Sequence, residues 1–81
     1  MYKRTQEMMS DVETLKGTTG TDRFNKAGEI AAKYDPVEYA QLLLMLGEPL
    51  DIVVDWLQKH KGMDKKSAEA AASQAQARLA K

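Results

Sequence analysis

The sequence predicts an all-α fold, a compact bundle of four to five short helices around one central buried helix. Three observations predict it. Apolar residues recur at three- and four-residue steps along most of the chain, and no alternating strand pattern appears. Helix-start residues (Thr21, Asp35-Pro36, Pro49, Asp64) and helix-stop glycines (Gly17, Gly47, Gly62) divide the chain at regular intervals. Between Asp35 and Gly47, eight of eleven residues are apolar and point in every direction on a helical wheel. A helix apolar all round must be buried all round, and this one is shorter than the ~20 apolar residues that cross a bilayer. The expected helices cover about 2–16, 22–34, 36–46, 49–61 and 65–80.

In the first helix, Thr5, Met8, Val12 and Leu15 make a thin stripe, widened by Met9. Gly17 is its expected stop, through the left-handed conformation. Such a thin stripe predicts a helix that depends on a neighbour. Thr21 is the expected cap of the second helix, with Asp22 favourable in its first turn. Phe24, Ala27, Ala31 and Tyr34 line one face of it, with Ile30 on the flank. Asp22, Lys26, Glu29 and Lys33 fall on the opposite face at ion-pair spacing.

Asp35 caps the third helix, Pro36 suits a position that needs no N–H, and Glu38 can complete a capping box. In the fourth helix, Leu50, Val53, Val54 and Leu57 form the expected core face. Ile52 and Trp56 fall outside that stripe, flanked by Asp51 and Asp55. Asp64 caps an alanine-rich fifth helix of high intrinsic propensity, and Met63 can pack back onto Ala68. Its inner stripe is Ala68, Ala71, Ala72, Ala75 and Leu79, which buries little area but lets a neighbour approach closely. The predicted core is Phe24, Ala27, Ile30, Ala31, Tyr34, Tyr39, Leu42, Leu43, Leu46, Leu50, Val53, Val54 and Leu57.

With 81 residues there is room for one domain, 1–81. A chain of this size buries only about 60–65% of its unfolded surface. It has no cysteine to add a disulfide or thiolate metal site. A cytoplasmic setting is the natural expectation. The basic start at Lys3-Arg4 is not followed by an apolar stretch, so neither a signal peptide nor a membrane span is expected. Twelve basic and twelve acidic residues give zero net charge, which argues against a general polyanion binder. A mildly acidic centre (residues 35–62, two basic and five acidic) meets a mildly basic tail (63–81, four basic and two acidic).

Candidate chemistry is sparse. His60, the only histidine, lies between two lysines and reads as a solvated residue at a helix C-terminus. Asp51 and Asp55 are one turn apart, but two helical carboxylates without a glycine-rich loop do not make a calcium site. Thr18-Thr19-Gly20-Thr21 has no lysine partner and reads as a turn. Phosphate-loop, dinucleotide and serine or cysteine nucleophile motifs are absent from the sequence. No enzyme, cofactor, metal site or small-molecule substrate is expected.

The expected function is a non-enzymatic protein-binding module, an adaptor or inhibitor of a larger partner. A small, Cys-free, motif-free helical chain fits an accessory factor of a phage or other mobile element. The expected contact patch is Trp56 and Ile52 with Asp51 and Asp55 as an acidic rim, joined by Val37 and Met45 on the less covered side of the central helix. The first alternative is helix-turn-helix DNA binding through helices 49–61 and 65–80. It would use Lys65, Lys66, Gln74 and Arg78, residue types that contact phosphates and base edges. The second is a structural homo-oligomer.

Overall fold

The computed structural model describes residues 2–80, with side chains from Gln6 to Ala80. Five helices follow in order: α1 (Tyr2–Lys16), α2 (Gly20–Ala31), α3 (Pro36–Leu46), α4 (Leu50–Lys61) and α5 (Lys65–Leu79). Among the described residues there is no strand, and no helix is long and apolar enough to cross a membrane. The radius of gyration is 11.5 Å, against about 11.7 Å expected for a folded chain of this length. The buried residues form one cluster.

α3 is the axle, as its all-round apolarity requires. Asp35 accepts from the Glu38 backbone N–H at 2.8 Å. The Glu38 carboxylate accepts from the Asp35 N–H at 3.2 Å, which completes the capping box. Gly47, at φ 102°, closes the helix in the left-handed region. α3 packs most extensively on α5, then on α1 and α4. Tyr39, Ala40, Leu42 and Leu43 are fully buried. Leu46 is only partly so, against a core expectation. The alanines of α5 provide the largest part of its cover, because Ala68, Ala71, Ala72 and Ala75 are buried and their methyls let the two backbones approach closely. Leu79, expected at the end of that stripe, is 42% exposed.

α1 carries more of the core than its stripe suggested. Met8, Val12 and Leu15 are buried against the cluster, while Thr5 lies outside the described side chains. Its end is not closed by a left-handed Gly17; the described positive-φ glycines are Gly20, Gly47 and Gly62. Instead the Leu15 carbonyl accepts from the Thr18 hydroxyl at 2.9 Å and from Arg23 Nε at 3.2 Å. Arg23 also donates to the Thr18 carbonyl at 3.0 Å and pairs with Glu48 at 3.6 Å, which ties the α1–α2 turn to the α3–α4 turn.

α2 begins one residue after Thr19, not at a Thr21 cap, and Thr19 makes no side-chain capping bond. It stops at Ala31, three residues short of the expectation. Lys61 explains the stop: its ammonium donates to the carbonyls of Ala31 at 2.9 Å and Tyr34 at 2.7 Å. A cation there satisfies carbonyls left over at a helix C-terminus. Tyr34 is buried in the following turn, and its hydroxyl donates to Asp11 at 2.6 Å. Asp11 also holds Lys33 at 3.0 Å, and that hydrogen bond is the main reason the Lys33 pKa is raised.

α4 is turned about its own axis relative to the sequence expectation. Its buried residues are Val53, Trp56 and Leu57, whereas Leu50 is 42% exposed and Val54 only partly buried. At 100° per residue, this moves the centre of the core face by roughly 60° towards Trp56. Partners on other helices cause the rotation. Trp56 packs edge-on to Phe24 of α2, with ring centroids 5.4 Å apart. His60 packs at a tilt on Phe24, centroids 4.2 Å apart, and meets Tyr39 of α3.

Candidate functional site

The rotation of α4 sets which of its residues face outward. Leu50, Asp51, Val54, Asp55 and Gln58 recur at one-turn steps along its free side. Lys65 and Glu69, one turn apart at the start of α5, form the opposite wall. Between them lies an open groove of about 730 Å³. α5 is anchored there by Asp64, which caps the helix by accepting from the Ser67 backbone N–H at 3.3 Å. The Ser67 side chain, followed by its backbone N–H, holds the Asp64 pKa below the ordinary carboxylate range.

The groove has an apolar floor of Leu50 and Val54 and a mostly acidic rim. Asp55 is paired with Lys59 on its own helix at 3.1 Å. Asp51 accepts from the backbone N–H of Ile52 at 3.0 Å, and neither it nor Glu69 takes part in a described ion pair. Gln58 donates back to the Val54 carbonyl at 3.4 Å.

The contact patch expected from the sequence is therefore divided. Trp56 is 9% exposed and belongs to the core, because Phe24 and His60 enclose it; it is not a patch residue. Ile52 and Val37 are partly buried against the cluster, and Met45 is 37% exposed. Asp51 and Asp55 do stand on the surface groove. Leu50 and Val54, assigned to the core by periodicity, form its floor. The spacing Leu50–Val54 beside Asp51–Asp55 was visible in the sequence, but the orientation of the helix was not.

The residues named for DNA contact, Lys65, Lys66, Gln74 and Arg78, are all exposed on α5. Lys65 shares its wall with Glu69 and faces Asp51 and Asp55 across the groove. Arg78 reaches Gln41 of α3 at 3.4 Å.

A second cluster went unread in the sequence. His60 is not a solvated helix-end residue: its ring lies among Phe24, Trp56 and Tyr39. Its Nδ1 and the Tyr39 hydroxyl are 2.5 Å apart, while Nε2 is enclosed without a hydrogen-bond partner. Burial lowers the His60 pKa; the Phe24 carbonyl and Asp55 oppose this and Lys59 reinforces it. Burial likewise raises the Tyr39 phenol well above its ordinary value, with Glu48 adding to the effect. Gly28 was the available signal. A side chain at that position of α2 would meet the His60 ring, with a Cβ 3.1 Å from both Cδ2 and Nε2.

A shallower cleft of about 310 Å³ lies between α1 and α2, lined by Asp11, Thr14, Lys26, Glu29, Ile30 and Lys33. Among the described residues, no three histidine or carboxylate side chains come together as a metal site. Compared with family models, curated proteins and solved structures, the chain matches none.

Proposed function

We propose that this chain is a non-enzymatic protein-binding module that takes a short amphipathic helix in the α4–α5 groove. The observation that carries the reading is Leu50, 42% exposed at the floor of an open groove. Helix-in-groove recognition needs an apolar trough that accepts anchors at one-turn spacing. Leu50 and Val54 supply that trough. From Leu50 to Gln58 it runs about 12 Å along α4, enough for two turns of a bound helix. Asp51 and Glu69 on the rim favour lysine or arginine beside the partner's apolar anchors.

The test is selection from a display library of helical peptides, followed by titration of the selected sequences. Enrichment of apolar residues at three- and four-residue spacing with basic flanks is expected. Leu50→Asp should weaken binding at least tenfold with an unchanged melting temperature, because Leu50 supports little of the core. Peptides that bind Leu50→Asp equally well, or no enrichment at all, would remove the groove from this role. A dimer that Leu50→Asp dissolves in sedimentation would make a second copy of the chain the occupant.

Duplex DNA binding has the exposure of Lys65 and Lys66 in its favour. Against it stand the adjacent Glu69, Asp51 and Asp55 and the zero net charge, which remove the electrostatic contribution that dominates such binding. A gel shift at low salt decides between the two.

A further inference from the structure

We propose that His60 is an acid-sensitive latch, whose protonation loosens the packing of α2 on α4. The inference stands apart from the groove, which lies on the other side of α4. It rests on the surroundings of one ring. Phe24 of α2 packs on His60 with ring centroids 4.2 Å apart and planes tilted by 39°, and Trp56 lies edge-on at 5.7 Å. Gly28 of α2 leaves only enough room for the ring, since even a methyl group there would come within 3.1 Å of it. The imidazole is thus the wedge on which α2 and α4 meet.

That wedge is suited to the neutral ring. Nδ1 has the Tyr39 hydroxyl as its single partner. Nε2 is enclosed and makes no hydrogen bond. In the cation both ring nitrogens carry a proton, so the full charge extends to a nitrogen shut away from water, and an unsolvated charge is strongly disfavoured.

Each facing element contributes little to offset this. From α2 the Phe24 carbonyl favours the cation. From α3 comes only the Tyr39 phenol, kept neutral by burial and by the nearby Glu48. On α4 itself Asp55 favours the cation, but it is already paired with Lys59, which opposes it. Lys61 is directed away, onto the end of α2.

Acid therefore pulls the ring out of the contact. A histidine with a lowered folded-state pKa stabilises fully above its unfolded value, about 6.5. That stabilisation is lost as pH falls from there to the folded value. Each unit between the two values is a tenfold loss in the folding equilibrium. The loss falls first on α2, because Phe24 meets α4 through this ring and Trp56 beside it, and Lys61 holds only the end of the helix.

The chain has one histidine and one tryptophan, so each reports on this contact without ambiguity. The experiment follows the His60 ring protons by NMR from pH 8 to pH 4.5, together with amide exchange at pH 7.5 and 5.5 corrected for intrinsic rates. A titration midpoint below that of an unstructured histidine, about 6.5, is expected. In acid, amides of α2 should exchange faster before those of α3. The urea midpoint of His60→Phe should lack the fall below pH 6.5 expected of the natural chain. A midpoint at or above 6.5, or α2 amides that keep their protection relative to α3, overturns the proposal. The first two measurements use the natural chain, so they decide the matter even where His60→Phe does not fold.

Discussion

Gly28→Ala turns the contact between α2 and α4 into a measurement of packing. Gly28 lies inside α2 with an ordinary helical φ, so alanine is allowed by the backbone. On helix propensity alone the change should stabilise by about 0.8–1 kcal/mol. The new Cβ, however, would stand 3.1 Å from Cδ2 and Nε2 of His60. The half-buried ring is held against a retreat by Phe24 and Trp56 and by the bond of its Nδ1 to Tyr39. Overpacking of a closed site costs about 1–3 kcal/mol. The net effect should run from neutral to about 2 kcal/mol destabilising. In a His60→Ala background the obstruction is gone, and the same change should stabilise by about 1 kcal/mol. The coupling between the two positions is then about 1–3 kcal/mol. Urea unfolding followed by helical circular dichroism at pH 7.5 gives all four corners of the cycle. If Gly28→Ala stabilises by about 1 kcal/mol in both backgrounds, the ring does not fill that space and the reasoning fails.

Three further substitutions, and a fourth as a control, test the other supports of the fold. Tyr34→Phe removes the 2.6 Å bond to Asp11 and leaves Lys33 as that carboxylate's partner; a loss of about 1–2 kcal/mol is expected in urea unfolding. Lys61→Met keeps the aliphatic stem but removes both bonds to the carbonyls of Ala31 and Tyr34. It should cost about 1–2 kcal/mol, with α2 amides losing protection first in hydrogen exchange. Ala75→Leu places three more carbons at a fully buried point of α5 and should cost about 1–3 kcal/mol. The same change at the exposed Ala77 should stay within about 0.5 kcal/mol by thermal melting.

Features set by a few adjacent residues were legible in the sequence. The capping box of Asp35 and Glu38 and the Asp64 cap lie where a local reading places them, because each is a matter of a side chain and a backbone group three residues away. The boundaries of α3 and α5 follow from them. Ends that depend on distant groups were not legible. α1 is closed by Arg23 from the next helix, and α2 is stopped by Lys61 from thirty residues on. The face of α4 was misplaced for a related reason. Periodicity weighs Leu50 and Val54 by hydrophobicity, but the helix turns to seat Trp56 and His60 against Phe24 and Tyr39. A histidine between two lysines gives no hint of this, and only Gly28 on another helix marks the space it occupies.

The same rotation connects the core to the surface groove. α3 needs cover on every side, and the alanines of α5 give it more than their small area suggests, since close backbone approach makes this the most extensive packing of α3. α4 in turn directs its widest rings towards Phe24 of α2. Once Trp56 and His60 point inward, the roughly 60° rotation must carry Leu50 and Val54 outward, because residues on one helix cannot turn independently. The apolar floor of the groove is thus the geometric counterpart of the aromatic cluster behind it. Anything that withdraws His60 from that cluster removes one reason for α4 to hold this orientation. Loss of Trp56–Phe24 contact in acid, read by tryptophan fluorescence, should therefore be accompanied by a changed exposure of Leu50.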